Sequence, residues 1–183
     1  MSSQHVVYMF AMSLDGFIAR PDGTFDWLDD FPADADYDFD AFLASLSGIV
    51  MGRASYEAAR RGGGWDYGKW PCAIATRRPV DDLPNNTTAM DGEPRALLDD
   101  LKRRGADGRI WLFGGGQMAS QFLKAGLLDT IELATIPVIL GQGIPAFGFA
   151  DGDSWLDLDF ARQLSNGAVH SRYRVRTTTS APG

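Results

Sequence analysis

The sequence predicts an α/β protein whose mostly parallel central sheet is flanked by helices and closes on an antiparallel hairpin. Short apolar segments rich in β-branched residues alternate with segments of helical periodicity over most of the 183 residues. Beyond Thr130 only strand-like segments follow. Asn166-Gly167 separates the last two of them, and an Asn-Gly pair between alternating runs is the strongest short hairpin signal.

The amino-terminal elements can be placed one by one. Val6–Ser13 is an apolar run with β-branched and aromatic residues, which predicts a buried strand that ends at Asp15-Gly16. Pro21-Asp22-Gly23 predicts a turn, because proline fixes φ, aspartate caps and glycine allows positive φ. The acidic and aromatic stretch 24–36 predicts an irregular loop or a short helical turn. Apolar residues at helical spacing then predict a helix from Tyr37 to near Gly48.

The same criteria predict the rest of the chain. Pro94 suits the first turn of a helix, and Pro137 within a strand indicates an edge or a bulge. We expect one domain over residues 1–179 and a flexible tail at 180–183. The remaining predicted elements are strand 49–51, helix 55–60, strands 72–76 and 87–90, helix 93–104, strand 110–113, helix 117–125, strand 130–140, and hairpin strands 155–164 and 168–178.

Composition excludes several classes of protein. Apolar residues make up 45% of the chain and charged residues 22%, which excludes a disordered or collagen-like chain. The net charge of −7 argues against nucleic acid or an anionic membrane as a partner, although a local basic pocket for a small phosphate stays possible. With one cysteine and two histidines, neither an intrachain disulfide nor a His-rich metal site is expected. No apolar run approaches the roughly 20 residues of a spanning helix, so we expect a soluble, cytoplasmic protein.

One segment joins a strand to a helix through three glycines, in the order IWLF-GGG-QMASQFL at residues 110–123. Without a Cβ, the backbone at Gly114–Gly116 can approach a ligand closely, and the following N–H groups lie at a helix amino terminus. Such a turn predicts an anion site. The alternative is a tight strand-to-helix turn that simply needs small residues.

Two more strand ends carry groups that bind anions. Gly52, Arg53 and Ser55 follow one strand, and Thr76-Arg77-Arg78 follows another. Both segments could instead lie at the surface without a ligand. Ser55 would then be an N-cap residue beside Arg53, and Arg77 and Arg78 would be solvated loop residues. Because parallel strands end at one edge, the three sites together favour a ligand with separated phosphates. A dinucleotide with a pyrophosphate and a 2′-phosphate is the candidate.

A fourth segment starts at Asp15-Gly16 and continues into a loop with Phe17, Phe25 and Trp27. An aromatic loop of this kind can fold over a flat ligand and exclude water. An ordinary strand break with an aromatic plug is the alternative.

Together, SLDGFIA (13–19), MGRASYE (51–57), TRR (76–78) and FGGGQ (113–117) resemble the dihydrofolate-reductase-like superfamily. The branch they are most similar to is the reductase domain of bacterial riboflavin-biosynthesis deaminase-reductases. The resemblance extends from about Val6 to Arg176, and HSRYRV (170–175) looks like that branch's last strand. It implies a dihydrofolate-reductase-like three-layer fold, with helices on both faces of the sheet.

The resemblance implies NADPH as the cofactor. The segments at Gly52 and at Gly114–Gly116 would hold its phosphates, and the TRR segment would bind its adenosine and 2′-phosphate. The first strand and the loop after it would line its nicotinamide. The implied cofactor-binding residues are Ala11, Asp15, Gly16, Ile18, Gly52, Arg53, Ser55, Thr76, Arg77, Arg78, Gly114, Gly115, Gly116, Gln117 and Met118.

The resemblance implies fewer residues on the substrate side. One carboxylate at the start of the first helix would assist protonation of the substrate. Asp34 matches by local pattern, whereas counting back from Gly52 without gaps points to Asp36; Asp38 and Asp40 also lie in this acidic run. A partly buried acid with a raised pKa can relay a proton. Most of these acids could equally be exposed groups at a helix start. Trp27 matches the aromatic residue of the family's mobile loop.

The predicted function is NADPH-dependent reduction of a C=N or C=O group in a small heterocyclic substrate, pterin-like or pyrimidine-like. Alternatives are 5-amino-6-(5-phosphoribosylamino)uracil reductase of riboflavin biosynthesis, dihydrofolate reductase, and a non-catalytic NADPH-binding protein. A purely structural module that binds no nucleotide is a further alternative. A homodimer is possible, with 130–140 as the candidate pairing strand.

Overall fold

The computed structural model describes residues 4–29, 31, 37–61, 65–148 and 152–176, so the predicted tail lies outside the described residues. The strands are β1 His5–Ser13, β2 Phe17–Ala19, β3 Leu46–Gly52, β4 Cys72–Ala75, β5 Thr87–Met90, β6 Arg109–Gly114, β7 Thr130–Ile136, β8 Ile144–Pro145, β9 Leu156–Gln163 and β10 Val169–Val175. The helices are α1 Phe39–Ala44, α2 Arg53–Arg61, α3 Pro94–Arg103 and α4 Gly116–Lys124, with one 3₁₀ turn at Asp26–Leu28. No helix in these ranges is long and apolar enough to span a bilayer.

The main sheet has eight strands in the order β5-β4-β3-β6-β1-β7-β10-β9. The first six of these are parallel to one another, and β10 is antiparallel to both of its neighbours. Asn166-Gly167 lies between β9 and β10, and Gly167 adopts φ of 90°. The predicted α/β fold, with its mostly parallel sheet and closing hairpin, is therefore confirmed.

Helices cover both faces of the sheet, because the buried strands are apolar on both sides. On one face α3 and α4 contribute Leu97, Leu101 and Phe122, which pack on Tyr8 and Leu112. The opposite face carries α1 and α2, packed on side chains such as those of Met51 and Trp111. We call this second face the α1 face.

The carboxyl ends of four neighbouring parallel strands form a continuous rim. In sheet order, β4 ends at Ala75, β3 at Gly52, β6 at Gly114 and β1 at Ser13. With strands about 4.8 Å apart, this rim is roughly 15 Å wide. The segments that follow these ends are the ones singled out from the sequence.

The helix predicted from Tyr37 to near Gly48 is shorter in the structure. It ends at Ala44, and Gly48 lies inside β3 instead. A Cβ at Gly48 would lie 2.9 Å from Cβ of Ala106, so glycine is there for close packing and not as a helix stop. Asp38 caps the helix, its carboxylate accepting a 2.8 Å hydrogen bond from the Ala41 N–H.

The strand predicted over 130–140 is also shorter, and it is not an edge strand. β7 ends at Ile136, just before Pro137, and is hydrogen-bonded to β1 on one side and β10 on the other. Pro137 has no N–H to donate to a neighbouring strand, so it lies just after the strand and does not form a bulge within it. Since both edges of β7 are occupied, β7 itself cannot pair two copies edge to edge.

A two-stranded sheet of β2 and β8 is absent from the prediction, because its strands are too short to show a pattern. Gly143 allows the close approach, since a Cβ there would lie 2.3 Å from the Ala19 carbonyl oxygen. The Ala146 N–H donates to the Gly16 carbonyl at 2.9 Å, and the Tyr8 hydroxyl donates to the Ala146 carbonyl at 2.9 Å. These contacts hold the loop after β1 close to the rim.

Candidate active site

Two glycine turns meet at the middle of the rim. A Cβ built on Gly52 would lie 3.3 Å from Cγ of Met118 and 3.8 Å from the Gly114 carbonyl oxygen. A Cβ on Gly114 would lie 3.2 Å from Oγ of Ser55, and Gly114 has φ of 151°, which favours glycine. The structure therefore brings the Gly52 turn and the triple-glycine turn into contact, as the parallel arrangement predicts.

The triple glycine combines two roles at different positions. Gly115 precedes α4 as its N-cap residue and is joined to Gly114 by a cis peptide bond. A Cβ at Gly115 would meet only Oγ of Ser55 at 3.7 Å and Cδ1 of Ile18 at 4.0 Å, both ordinary contacts. At Gly116, by contrast, a Cβ would lie 2.3 Å from the Pro145 carbonyl oxygen. The first position has room for a methyl group, and the second is packed against the end of β8.

The two residues after the glycines differ in exposure. Gln117 is exposed at the start of α4, where the first helical N–H groups have no intrahelical acceptor. Met118 is 7% exposed and belongs to the core between the sheet and α4. A ligand at this turn would therefore contact Met118 through its backbone and not through its side chain.

Arg53 ties two of the predicted segments together. Its Nε donates to Oε1 of Glu57 at 2.6 Å, and its Nη1 donates to the carbonyls of Arg78 at 3.2 Å and Pro79 at 2.9 Å. This guanidinium holds the loop after β4 against the start of α2. The Arg53 contacts in the structure are thus structural ones, and its phosphate contact stays a prediction.

The loop after β4 presents two arginines to solvent. The Thr76 hydroxyl donates to the Arg78 carbonyl at 3.0 Å, which fixes a tight turn, and Arg77 and Arg78 are both exposed. Arg77 forms an ion pair with Asp91 at 3.8 Å, although its side chain is 89% exposed. An exposed pair of this kind contributes little stability and leaves the charge available.

Asp15 caps a neighbouring loop. Its two carboxylate oxygens accept hydrogen bonds from the N–H groups of Leu140 at 3.1 Å and Gly141 at 2.7 Å. A hydrogen bond from the Ser13 hydroxyl is the main cause that lowers the pKa of Asp15 below its ordinary value, and these two N–H groups add to it. Gly16 follows with φ of 87°. The structure therefore shows Asp15 joining the loop after β1 to the loop after β7.

Trp27 lies on the α1 face beside the carboxyl end of β1. It is 6% exposed and packs with Ile136, Leu164 and Ala168, and the half-buried Ala11 packs against this group. Its indole Nε1 is buried and has no hydrogen-bond partner among the described residues. Trp27 and Ala11 thus lie in one apolar group, whereas Asp34 and Asp36 lie outside the described residues.

A charged cluster on the α1 face is missing from the sequence analysis. Glu132, in the middle of β7, is 3% exposed at its side chain. Its Oε1 lies 3.0 Å from Nε2 of His170, and its Oε2 accepts from Arg172 Nε at 2.9 Å and from Arg109 Nη2 at 3.4 Å. Burial lowers the pKa of His170 below its ordinary value and outweighs Glu132, which acts in the opposite direction. We call Glu132, His170, Arg172 and Arg109 the Glu132 cluster.

The sequence does contain a weak signal for this cluster. Glu132 is the single charged residue within the apolar run TIELATI, and buried acids require partners. In HSRYRV, period-two alternation places His170 and Arg172 on one face of a strand. The sequence does not reveal that this strand lies beside β7.

Comparisons with known proteins agree with this architecture. The family model of the RibD C-terminal domain matches residues 4–169. The chain is 31% identical over 174 residues to the uncharacterized protein YwjB of Bacillus subtilis, covering 94% of this chain and 98% of YwjB.

Solved structures have the same fold. The crystal structure of a putative riboflavin biosynthesis protein from Shewanella sp. PV-4 superposes with a TM-score of 0.82 at 24% identity, covering 94% of this chain and 99% of that one. The diaminohydroxyphosphoribosylaminopyrimidine deaminase/5-amino-6-(5-phosphoribosylamino)uracil reductase of Thermotoga maritima gives a TM-score of 0.68 at 17% identity, with 95% and 57% covered. The resemblance noted in the sequence motifs is confirmed, and the chain belongs to the RibD C-terminal domain family.

Proposed function

We propose that this protein is an NADPH-dependent reductase that transfers a hydride to a C=N or C=O carbon of a small pterin-like or pyrimidine-like substrate. The observation that carries the proposal is the meeting of two glycine turns at one rim, with the hydroxyl of Ser55 between them. Membership of the RibD C-terminal domain family supports the reductase class.

The residues at the rim fit a dinucleotide. The backbone at Gly115, where even a Cβ would meet only ordinary contacts, and the N–H groups at the start of α4 suit a pyrophosphate, which needs close backbone approach and donors. The exposed guanidinium groups of Arg77 and Arg78 lie two strands away, at the end of β4, where they suit a 2′-phosphate. That separation along the rim favours NADPH over NADH.

The proposed nicotinamide position is the carboxyl end of β1. Ala11 presents only a small, half-buried side chain there, and it lies near Trp27 and the loop fixed by Asp15. When bound, NADPH supplies the hydride. The protein's part is to hold the substrate carbon at reacting distance and to exclude water, with Asp34 or Asp36 as the proposed proton relay.

The test begins with thermal melting in the presence of each nucleotide. A ligand that binds only the native state raises the melting temperature, so NADPH should raise it more than NADH does. Changing Arg77 and Arg78 together to Ala should remove that preference and leave the melting temperature without nucleotide unchanged. Equal shifts with the two nucleotides in the unaltered protein would contradict the proposed 2′-phosphate contact.

Turnover is tested with deuterium-labelled NADPH and a panel of pterins and pyrimidines. Transfer of the label to product supports direct hydride transfer, whereas loss of label to a bound flavin would refute it. Nucleotide binding with no oxidation over the panel would favour the non-catalytic alternative. The riboflavin-pathway uracil reductase is the second candidate, because of the family, and its substrate belongs in the panel.

A further inference from the structure

We propose that a cleft on the α1 face binds an anionic group of the substrate, a carboxylate or a phosphate, and this inference rests on the proposed function. The cleft has a volume of about 470 Å³. Helix α1 forms one wall, and the sheet strands β6, β7, β9 and β10 form the rest. Its lining residues are Tyr37, Asp38, Ala41, Phe42, Arg109, Glu132, Phe160, Arg162, His170 and Arg172.

The cleft is basic although the protein is acidic. Arg109, Arg162 and Arg172 line it together with only two carboxylates, Glu132 and Asp38, in a chain of net charge −7. The Asp38 carboxylate is already engaged in capping α1. A local excess of guanidinium groups in a concave site attracts anions.

The arginines are held in place before any ligand arrives. Arg172 stacks over the ring of Phe160 at 4.9 Å and Arg109 over the ring of Phe42 at 5.1 Å. Both arginines also donate hydrogen bonds to the buried Glu132, which keeps the two guanidinium groups side by side in the cleft. Preorganised guanidinium groups lose less entropy on binding a carboxylate or phosphate, which they match in geometry.

The cluster retains unused polar atoms. Arg109 Nε, His170 Nδ1 and the Tyr37 hydroxyl are buried and have no hydrogen-bond partner within the described part of the chain. His170 is only 4% exposed, and its other nitrogen is the one bonded to Glu132. Buried polar groups are normally hydrogen-bonded, so three orphan groups around one cleft indicate an occupant with acceptor atoms.

Strand register places the cleft beside the proposed reaction centre. Ala11 of β1 is paired with Ala134 of β7, Ala134 with His170 of β10, and His170 with Arg162 of β9. Directly paired residues lie on the same face, so His170 is two strands away from Ala11, roughly 10 Å. A substrate ring beside Ala11 can therefore extend a charged substituent into the cleft.

The experiment measures binding of two probes by calorimetry, inorganic phosphate and benzoate. Arg162→Gln and Arg172→Gln each remove one guanidinium charge and should weaken binding of the preferred probe about tenfold or more, as expected for a charged hydrogen bond. Arg103→Gln is the matched control, because Arg103 is 67% exposed on α3 at the opposite face. Tighter binding of one probe identifies the preferred anion.

Each result decides the proposal. Loss of binding in both cleft variants with retention in Arg103→Gln supports it. Equal binding in all four proteins, similar losses in all three variants, or no binding by the unaltered protein overturns it. Arg162→Gln lies on the edge strand β9, so it remains informative if Arg172→Gln, which leaves Glu132 undercompensated, fails to fold.

The nucleotide shift in melting temperature separates this inference from the proposed function. Both cleft variants should keep the shift with NADPH, since neither residue lies at the rim. A protein that binds phosphate in the cleft but shows no shift with NADPH would refute the reductase proposal and not the anion site.

Discussion

Two neighbouring glycines separate the structural and ligand-binding roles of the triple-glycine turn. The comparison is between Gly116→Ala and Gly115→Ala, which add the same methyl group one residue apart. At Gly116 that methyl would lie 2.3 Å from the Pro145 carbonyl oxygen and 3.1 Å from the Ala146 carbonyl oxygen. At Gly115 its nearest neighbour would be Oγ of Ser55 at 3.7 Å.

The expected magnitudes follow from these distances. Forcing a methyl group against backbone costs about 1–3 kcal/mol, and for a protein of this size each kcal/mol lowers the melting temperature by about 2–4 °C. Gly116→Ala should therefore melt about 2–12 °C lower. At the N-cap, Ala caps less well than Gly but restricts the unfolded chain, so Gly115→Ala should change stability by less than about 1 kcal/mol.

The assay is thermal melting with and without NADPH. A ligand at one hundred times its dissociation constant stabilises by about 2.7 kcal/mol, which here corresponds to a shift of about 5–11 °C. Gly115→Ala should lose most of that shift, because its methyl fills the space beside Ser55 where the pyrophosphate is proposed to lie. Gly116→Ala should melt lower without nucleotide.

Two results would refute the reasoning. If Gly116→Ala melts like the unaltered protein, the close approach to Pro145 is not a packing constraint. If Gly115→Ala keeps the full NADPH shift, the backbone at Gly115 is not part of the nucleotide site.

Three further predictions concern other parts of the molecule. Because the pKa of His170 is lowered in the fold, the unfolded chain binds more protons than the folded chain as pH falls below about 6.5. The free energy of unfolding should therefore drop there by at most about 1.4 kcal/mol per pH unit, and His170→Gln should flatten this slope. Equal slopes for the two proteins in urea melts at several pH values would contradict this prediction. Cys72 is buried and its thiol pKa is raised to about 12, so a disulfide reagent should label it only after unfolding in urea; rapid labelling of the native protein would contradict this. Phe122→Ala, at a position with 0% exposure, should cost about 3–5 kcal/mol in urea unfolding, and a cost below 1 kcal/mol would mean that α4 is not anchored there.

Local signals predict the rim well. A strand that runs into glycines and then into a helix is a short-range pattern, and Gly52 and Gly114 are close together because parallel strands end on one side. The hairpin at Asn166-Gly167 is predicted for the same reason, since adjacent residues make its turn and Gly167 adopts φ of 90°. Where a feature depends on neighbours in sequence, the pattern and the structure agree.

Features made by distant residues could not be predicted. Glu132 contacts partners 23, 38 and 40 residues away, and their meeting depends on strand order, which periodicity does not report. The predicted end of α1 near Gly48 is wrong, because glycine after a helical pattern favours a helix stop, whereas contact with Ala106, far along the chain, determines the need for glycine there. Long-range packing decided both cases.

Among the described strands of the main sheet, β10 alone runs antiparallel to both of its neighbours, and this has a consequence for how the fold can change. Its amino-terminal half carries His170 and Arg172 on the same face as Ala11, while the rim proposed for the nucleotide consists mainly of backbone from earlier segments. Two adjoining compartments are thus encoded by separate stretches of the gene. Under the proposed function, substitutions in the closing hairpin would change the substrate that binds while the rim proposed for NADPH stays intact.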